Sequence, residues 1–331
     1  MKILHIVESL NRGAVENWLV RMYLFATKNN IKLDWTFYCV IEARGSIEKL
    51  ALANGAKVIY SPVPLSETFA FCKALRNTVK VGGYSHVHCH HDLMSAIYLI
   101  ALFGLKLNKI VHVHNMDEVI SVGNKFKADL IRPIFRRICW YYSDKIIGIS
   151  QHTLDRFLLY KKRREGQDIV HYYGVDPQKF FTTKVNKPLF KKSIGIPEDS
   201  KIFLFCSRID KAKNPLFALE VLNELIKIRK DVVGIFVGSG SLENELKERA
   251  QLFNLGKSFM FLGWSDSAAE IMLNSDLFIL PHVEYPREGL GLVVVEAQLA
   301  KLPILVSKGI SQDAILPGSK HFILSLSTAP V

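Results

Sequence analysis

Cysteine is scarce in this 331-residue chain: there are five, Cys39, Cys72, Cys89, Cys139 and Cys206, all far apart. Without a CxxC pair or an even framework, neither a disulfide scaffold nor a cysteine-held zinc is encoded, and free thiols in a reducing compartment are expected. Long apolar runs are missing as well. The longest, over 93–105, has 13 residues, short of the ~20 that cross a bilayer, and it reads as a buried helix. The opening MKILHIVESL passes from a short apolar run straight into polar residues with no small-residue cleavage site. It therefore reads as a first strand, not an export signal, and a cytoplasmic protein is expected. Low-complexity tracts and solenoid-length repeats are also absent.

What is present is ample core material. With 49% hydrophobic and 22% charged residues, disorder is excluded and two domains are a better fit than one. Charge is uneven: residues 1–180 carry 25 Lys and Arg against 15 Asp and Glu, whereas 181–331 carry 18 against 16. The basic first half would attract nucleic acid, anionic lipid or phosphorylated substrates, and charge alone does not choose among them.

Short β-branched runs alternate with amphipathic stretches. KILHIV, LDWTFYCV, KVIYS, HVHCH, KIVHVH and KIIGIS read as strands, and the second half repeats the pattern with KIFLFCS, VVGIFVGSG, FMFLGW, LFILPH and PILVS. Helical spacing lies between them, the βαβ signature of parallel sheets. The expected architecture is α/β, two Rossmann-like doubly wound domains over 1–180 and 181–331. Pro177, Pro188 and Pro197 break periodicity at the seam, 172–200. A ligand cleft facing the C-terminal strand ends of both domains is expected.

The segment EYPREGLGLVVVEAQLAKLPILVS places Glu288 and Glu296 on either side of Gly289-Leu290-Gly291. Two readings compete. In one, the glycines let backbone N–H groups approach a ligand and a helix opening at Leu292 favours an anion such as a diphosphate, with Glu296 reaching sugar or ribose hydroxyls. In the other, GLVVV is one more core strand, which three valines favour. Arg208 and Lys213, in the loop after KIFLFCS, are either solvated cations or a diphosphate cradle. Gly238-Ser239-Gly240 follows a strand, but Glu243 stands where a dinucleotide fingerprint would place its third glycine, so a tight turn accounts for both glycines.

In the first half, Gly13 lies between the first strand and a helix. HVHCHHD and HVHNMDE concentrate histidines at strand ends. His86, His88 and His90 alternate, as do His112 and His114, so each set lies on one strand face and needs no metal. No metal is expected.

Taken together, EGLGLVVVEA with its E-x7-E spacing, SRIDKAKN, VGSGSLENEL, FLGW, SDLFILP and LNRGAVENWL resemble the retaining GT-B glycosyltransferases of family four, the group 1 type. Members that build bacterial capsule, exopolysaccharide or O-antigen are the most similar. The resemblance runs from the start of the chain to about residue 326 and is more specific in the second half. It implies that Glu288 contacts the donor sugar, that Glu296 accepts from the ribose and that Arg208 and Lys213 neutralise the diphosphate. It further implies that Gly13 opens a phosphate loop, that His114 faces the donor sugar and that the backbone around Gly263 and Trp264 holds the base. Gly238, Gly289, Leu290, Gly291 and Leu292 complete the implied donor site. No metal cofactor is implied, because cations and a helix N-terminus do that work; the co-substrate is a UDP- or GDP-linked sugar. Retention is implied to run by same-face displacement, the departing phosphate acting as base.

Two departures stand out: Ala14 replaces the usual second loop glycine, and Tyr173 the common Asn before GVD. The chain ends at FILSLSTAPV, where family members continue into helices that cross back onto the first domain, so those crossing helices are expected to be missing. For the acceptor, a glycan or a lipid-diphosphate-linked sugar, the clue is the basic stretch NKFKADLIRPIFRRICWYYSD. Its Lys125, Lys127, Arg132, Arg136 and Arg137 stand among apolar residues, and the run LYKKRREG follows. The pattern suits a peripheral helix on an anionic inner membrane face, or a half-buried helix with a solvated basic face. Nucleic acid is not expected, because no reader motif is present. The rival functions are a sugar-nucleotide epimerase of the same fold and a catalytically degenerate nucleotide-sugar-binding subunit.

Overall fold

The computed structural model describes residues 1–326 apart from 12, 116–124, 160 and 286, and no side chain of 125–128; Glu118, Lys125 and Lys127 thus fall outside what is described. The chain divides into two compact units, Met1–Gly174 and Val175–Val331. Each is built on one parallel sheet.

Unit 1 carries β1 (Lys2–Val7), β2 (Asp34–Cys39), β3 (Lys57–Tyr60), β4 (His86–Cys89), β5 (Asn108–Val113), β6 (Lys145–Gly148) and β7 (Asp168–Val170). Their order is β3-β2-β1-β4-β5-β6-β7, so the winding reverses between β1 and β4, where open sheets of this kind part to admit ligands. The strands are apolar on both faces because helices cover both. Leu4, Ile6 and Tyr38 pack with Phe71 and Tyr98 on one side, while Val7 and Phe37 pack with Leu19 and Val20 on the other. The apolar run at 93–105 gives the helix Ser95–Ala101, mostly buried.

Unit 2 carries β8 (Lys201–Cys206), β9 (Val232–Val237), β10 (Phe259–Gly263), β11 (Leu277–Leu280), β12 (Ile304–Ser307) and β13 (His321–Leu324). The order is β10-β9-β8-β11-β12-β13, with the reversal between β8 and β11.

β7 and β13 escape the sequence reading. Both are edge strands of three and four residues, too short for alternation to register. β7 begins at Asp168, whose carboxylate takes a bidentate guanidinium from Arg164, with nitrogens 2.7 and 3.1 Å from Oδ1. Arg164 also donates to the carbonyls of Trp140 and Ser143, and Arg163 pairs with Asp155 at 2.7 Å. Arg164 is therefore an internal tie, while Arg163 stays at the surface in an exposed ion pair. Lys161 lies over the Trp140 ring at 4.5 Å.

Among the described residues, no helix is long and apolar enough to cross a membrane.

Candidate active site

In unit 2 the loop after β8 and the loop after β11 leave the sheet on either side of the winding reversal, and they carry the two central charges. Asp210 Oδ1 accepts the Lys213 N–H at 3.1 Å. Asn214 adopts a left-handed conformation, and Pro215 then starts the helix Pro215–Ile228, its ring preset for a first turn. Lys213 is held pointing inward, its side chain 11% exposed, and its Nζ donates to Glu288 Oε2. Val283 N–H bonds the Ala212 carbonyl at 2.9 Å, tying the two loops together.

Glu288 is fixed from behind, its N–H donating to the Gly309 carbonyl at 2.9 Å. A Cβ at Gly309 would stand 2.1 Å from the Val283 carbonyl oxygen, so only glycine allows this approach. His282 donates Nδ1–H to the Val283 carbonyl at 2.8 Å and places Nε2 3.3 Å from Glu288 Oε2. Burial pushes the Glu288 carboxyl up, but the charges of Lys213, His282 and Arg208 outweigh it and hold it below its ordinary 4.5. Burial and then Lys213 press His282 below the usual imidazole range.

A depressed carboxyl contributes stability that is full above pH 4.5 and is lost as pH falls through the lower folded value. Unfolding free energy measured from pH 6 to pH 3 should show Glu288→Gln losing less than wild type; parallel curves would count against the pair.

Past Glu288, Gly289 and Leu290 are buried, and Gly291 takes φ +87° ahead of the helix Leu292–Leu299. The valines are thus helical, and the core-strand alternative fails because the left-handed glycine ends the extended backbone. Glu296 lies on this helix close enough to β8 that its charge, after burial, helps push the Cys206 thiol up to about 12. Arg208 follows Cys206 by two residues; its side chain is 72% exposed and bonded to Asp210 at 2.8 Å. Arg208, Lys213, Glu288 and Glu296 therefore converge at the C-terminal ends of β8 and β11.

The glycines after β9 have a packing purpose. Gly238 has φ +133°, and a Cβ there would sit 1.8 Å from the Ser207 carbonyl oxygen. Its N–H donates to the Gly263 carbonyl at 2.8 Å, and Ile209 N–H donates to the Ser239 carbonyl at 3.0 Å. The turn is the shelf on which the Arg208 loop rests. Trp264, next to Gly263, is 53% exposed.

In unit 1, His114 is buried with both ring nitrogens engaged: Nε2 with His90 Nδ1 at 3.1 Å, and Nδ1 with the Tyr173 hydroxyl. The replacement for the family's Asn thus packs directly on this histidine, and Trp18 stacks on Tyr173 at 4.9 Å. Trp18 belongs to the helix Ala14–Lys28, for which Gly13 is the extended residue at the N-cap. A cavity of about 550 Å³ opens beside the ends of β2 and β3, lined among others by Glu8, Glu42, Ser61, Ser66 and His91. His282, Gly309 and this cavity were not foreseen. Glycine spacing gave no hint of Gly309, since what it must clear is a loop 26 residues earlier in the chain.

Comparison with known proteins gives this geometry a family. The model of glycosyl transferases group 1 matches residues 186–316, and that of glycosyltransferase family 4 matches 40–179. The chain belongs to the group 1, family four glycosyltransferases. Putative glycosyltransferase EpsF of Bacillus subtilis is 27% identical over 317 residues, 94% of this chain and 80% of that protein. The UDP-Gal:alpha-D-GlcNAc-diphosphoundecaprenol alpha-1,3-galactosyltransferase of Escherichia coli is 33% identical over 175 residues, 52% of this chain and 42% of that protein. Among solved structures, Anabaena HepE in complex with UDP superposes with a TM-score of 0.79 at 19% identity, covering 98% of this chain and 86% of HepE. WaaG, a glycosyltransferase involved in lipopolysaccharide biosynthesis, gives 0.71 at 14%, covering 99% and 87%. Those likenesses establish the GT-B fold. The family four enzyme described here carries its converging charges at the winding reversal of its second sheet.

Proposed function

We propose that this glycosyltransferase moves a sugar, with retention and without a metal at the transferring phosphate, from a nucleotide sugar to a glycan or lipid-diphosphate-linked acceptor in bacterial surface polysaccharide synthesis. The observation that carries the reading is the Lys213–Glu288–His282 cluster with Arg208 beside it. Lys213 and Arg208 offset the diphosphate charge as the bond to the sugar breaks, which is the work a divalent ion does elsewhere. Glu288, held ionised and oriented by Lys213, accepts hydrogen bonds from donor-sugar hydroxyls, and Glu296 accepts from the ribose. The base lies against Gly263 and Trp264. The acceptor hydroxyl attacks the anomeric carbon on the face the nucleoside diphosphate leaves, and a departing phosphate oxygen takes its proton. Unit 1 is assigned the acceptor, with the cavity at Glu8, Glu42 and His91 as its seat.

The complexes of HepE with UDP and with UDP-glucose favour UDP as the carrier, and the name of the Escherichia coli enzyme favours a lipid-diphosphate acceptor. A place on the inner face of the cell membrane would suit such an acceptor. The test is transfer from UDP-linked sugars of known α configuration to a lipid-diphosphate-linked acceptor, with the product read by NMR. An α product, formed at a rate that added Mg²⁺ or Mn²⁺ does not raise, is expected. A β product, or activity that requires either ion, overturns the reading.

A further inference from the structure

The centre of the first sheet carries a second arrangement that sugar transfer does not use. β1 and β4 are neighbours whose register sets His5 opposite His88. The chain leaving β4 keeps the ladder for one residue more, His90 N–H donating to the Ile6 carbonyl at 2.9 Å. Backbone pairing therefore fixes three imidazoles side by side. One ring nitrogen from each lies within 4.8 Å of the other two. Around four-coordinate zinc, imidazole nitrogens at ~2.0–2.1 Å from the ion stand ~3.4 Å apart, so small side-chain rotations close the set.

Two of these rings keep a nitrogen without other work, while His5 Nδ1 and His90 Nε2 share a hydrogen bond at 3.1 Å that an ion between the rings would replace, and His90 Nδ1 meets His114 Nε2 at 3.1 Å. His5 is 2% exposed, yet among the described residues its Nε2 has no hydrogen-bond partner, and Nε2 of His88 is buried in the same condition. Leaving such buried atoms unsatisfied is costly, and a bound ion relieves that cost.

We propose that His5, His88 and His90 bind one divalent cation of the zinc class, a site that locks β1 to β4 at the winding reversal of unit 1. All-imidazole ligation suits zinc, copper or nickel over magnesium or calcium. Two strands supply the ligands, and half-buried His88 provides the way in. A second trio of similar spacing, His90, His112 and His114, shares one ligand. It is the poorer site, because His114 has both ring nitrogens engaged, with His90 and with the Tyr173 hydroxyl, whereas Nε2 of His5 and of His88 has no partner among the described residues. Alternation within HVHCH argued against a metal; the partner that changes this is His5, which only the strand order brings alongside.

The test uses untagged full-length protein, stripped with chelator, dialysed, and titrated with Zn²⁺ against a chromophoric indicator and with Co²⁺ by visible absorption. One ion per chain and the intense absorption of four-coordinate Co²⁺ are expected. His88→Gln should weaken Zn²⁺ by more than ~100-fold, beyond the loss typical of outer-shell changes, while His112→Gln, in the same cluster but outside the trio, leaves the affinity unchanged. Circular dichroism checks both folds, and His5→Gln stands in if His88→Gln does not fold. No stoichiometric binding by wild type, binding that survives His88→Gln, or loss in a folded His112→Gln would each overturn the proposal.

Discussion

Lys213→Ala should lower the transfer rate by ~10²–10³-fold or more, the range seen when one electrostatic donor to a developing charge is removed. Two losses combine. The diphosphate forfeits a cation, and Glu288 forfeits the partner that keeps it ionised and aimed. Because the pair is largely withdrawn from water, with side chains 11% and 21% exposed, a lone carboxylate left behind should also cost about 3 kcal/mol of stability. The two effects separate in Lys213→Met/Glu288→Gln, in which no unpaired charge remains. Chemical denaturation should return most of the stability, while the transfer assay stays near background. A Lys213→Ala enzyme with wild-type rate would show that the cluster is a structural ion pair and nothing more.

Gly238→Ala should cost about 3 kcal/mol or more with no charge altered. The added methyl meets the Ser207 carbonyl oxygen at 1.8 Å, and the backbone sits at φ +133°, which L-residues rarely adopt. Overpacking and backbone strain each cost ~1–3 kcal/mol, and here they coincide. The only relief is to push the Ser207–Arg208 backbone away, so donor affinity should fall with the melting temperature. Ser239→Ala, one residue on, is the control, since what position 239 supplies to this turn is its backbone carbonyl, accepting from Ile209 N–H. Similar melting temperatures for the two variants would contradict the steric account.

The divide between what the sequence disclosed and what it withheld follows the range of the interactions. β1 to β6 and β8 to β12 announce themselves through local runs of apolar, β-branched residues, and the reversal of winding follows from alternating strands and helices. Arg208, Lys213 and Glu288 could be placed in loops, and Glu296 on the helix that follows, because they stand at fixed distances from those runs. His282 was not, because its role depends on a contact with Glu288 across a bend, and a buried histidine in LFILPH reads as core. The placement of Gly238 and Gly309 against other loops likewise depends on strand order, which periodicity does not encode. Arg164 marks the opposite failure. In a written run of cations it suggests a surface, yet it is consumed by the buried carboxylate of Asp168.

The proposed nucleotide site is tested most directly by the melting temperature measured with UDP, GDP and their sugars. A ligand that binds only the folded state raises stability by mass action. Wild type should be stabilised by one nucleotide class with no dependence on Mg²⁺, and Arg208→Ala and Glu296→Ala, both folded, should lose the shift. If no nucleotide moves the wild-type transition, or if both variants keep the full shift, the converging charges at the ends of β8 and β11 are not the donor site.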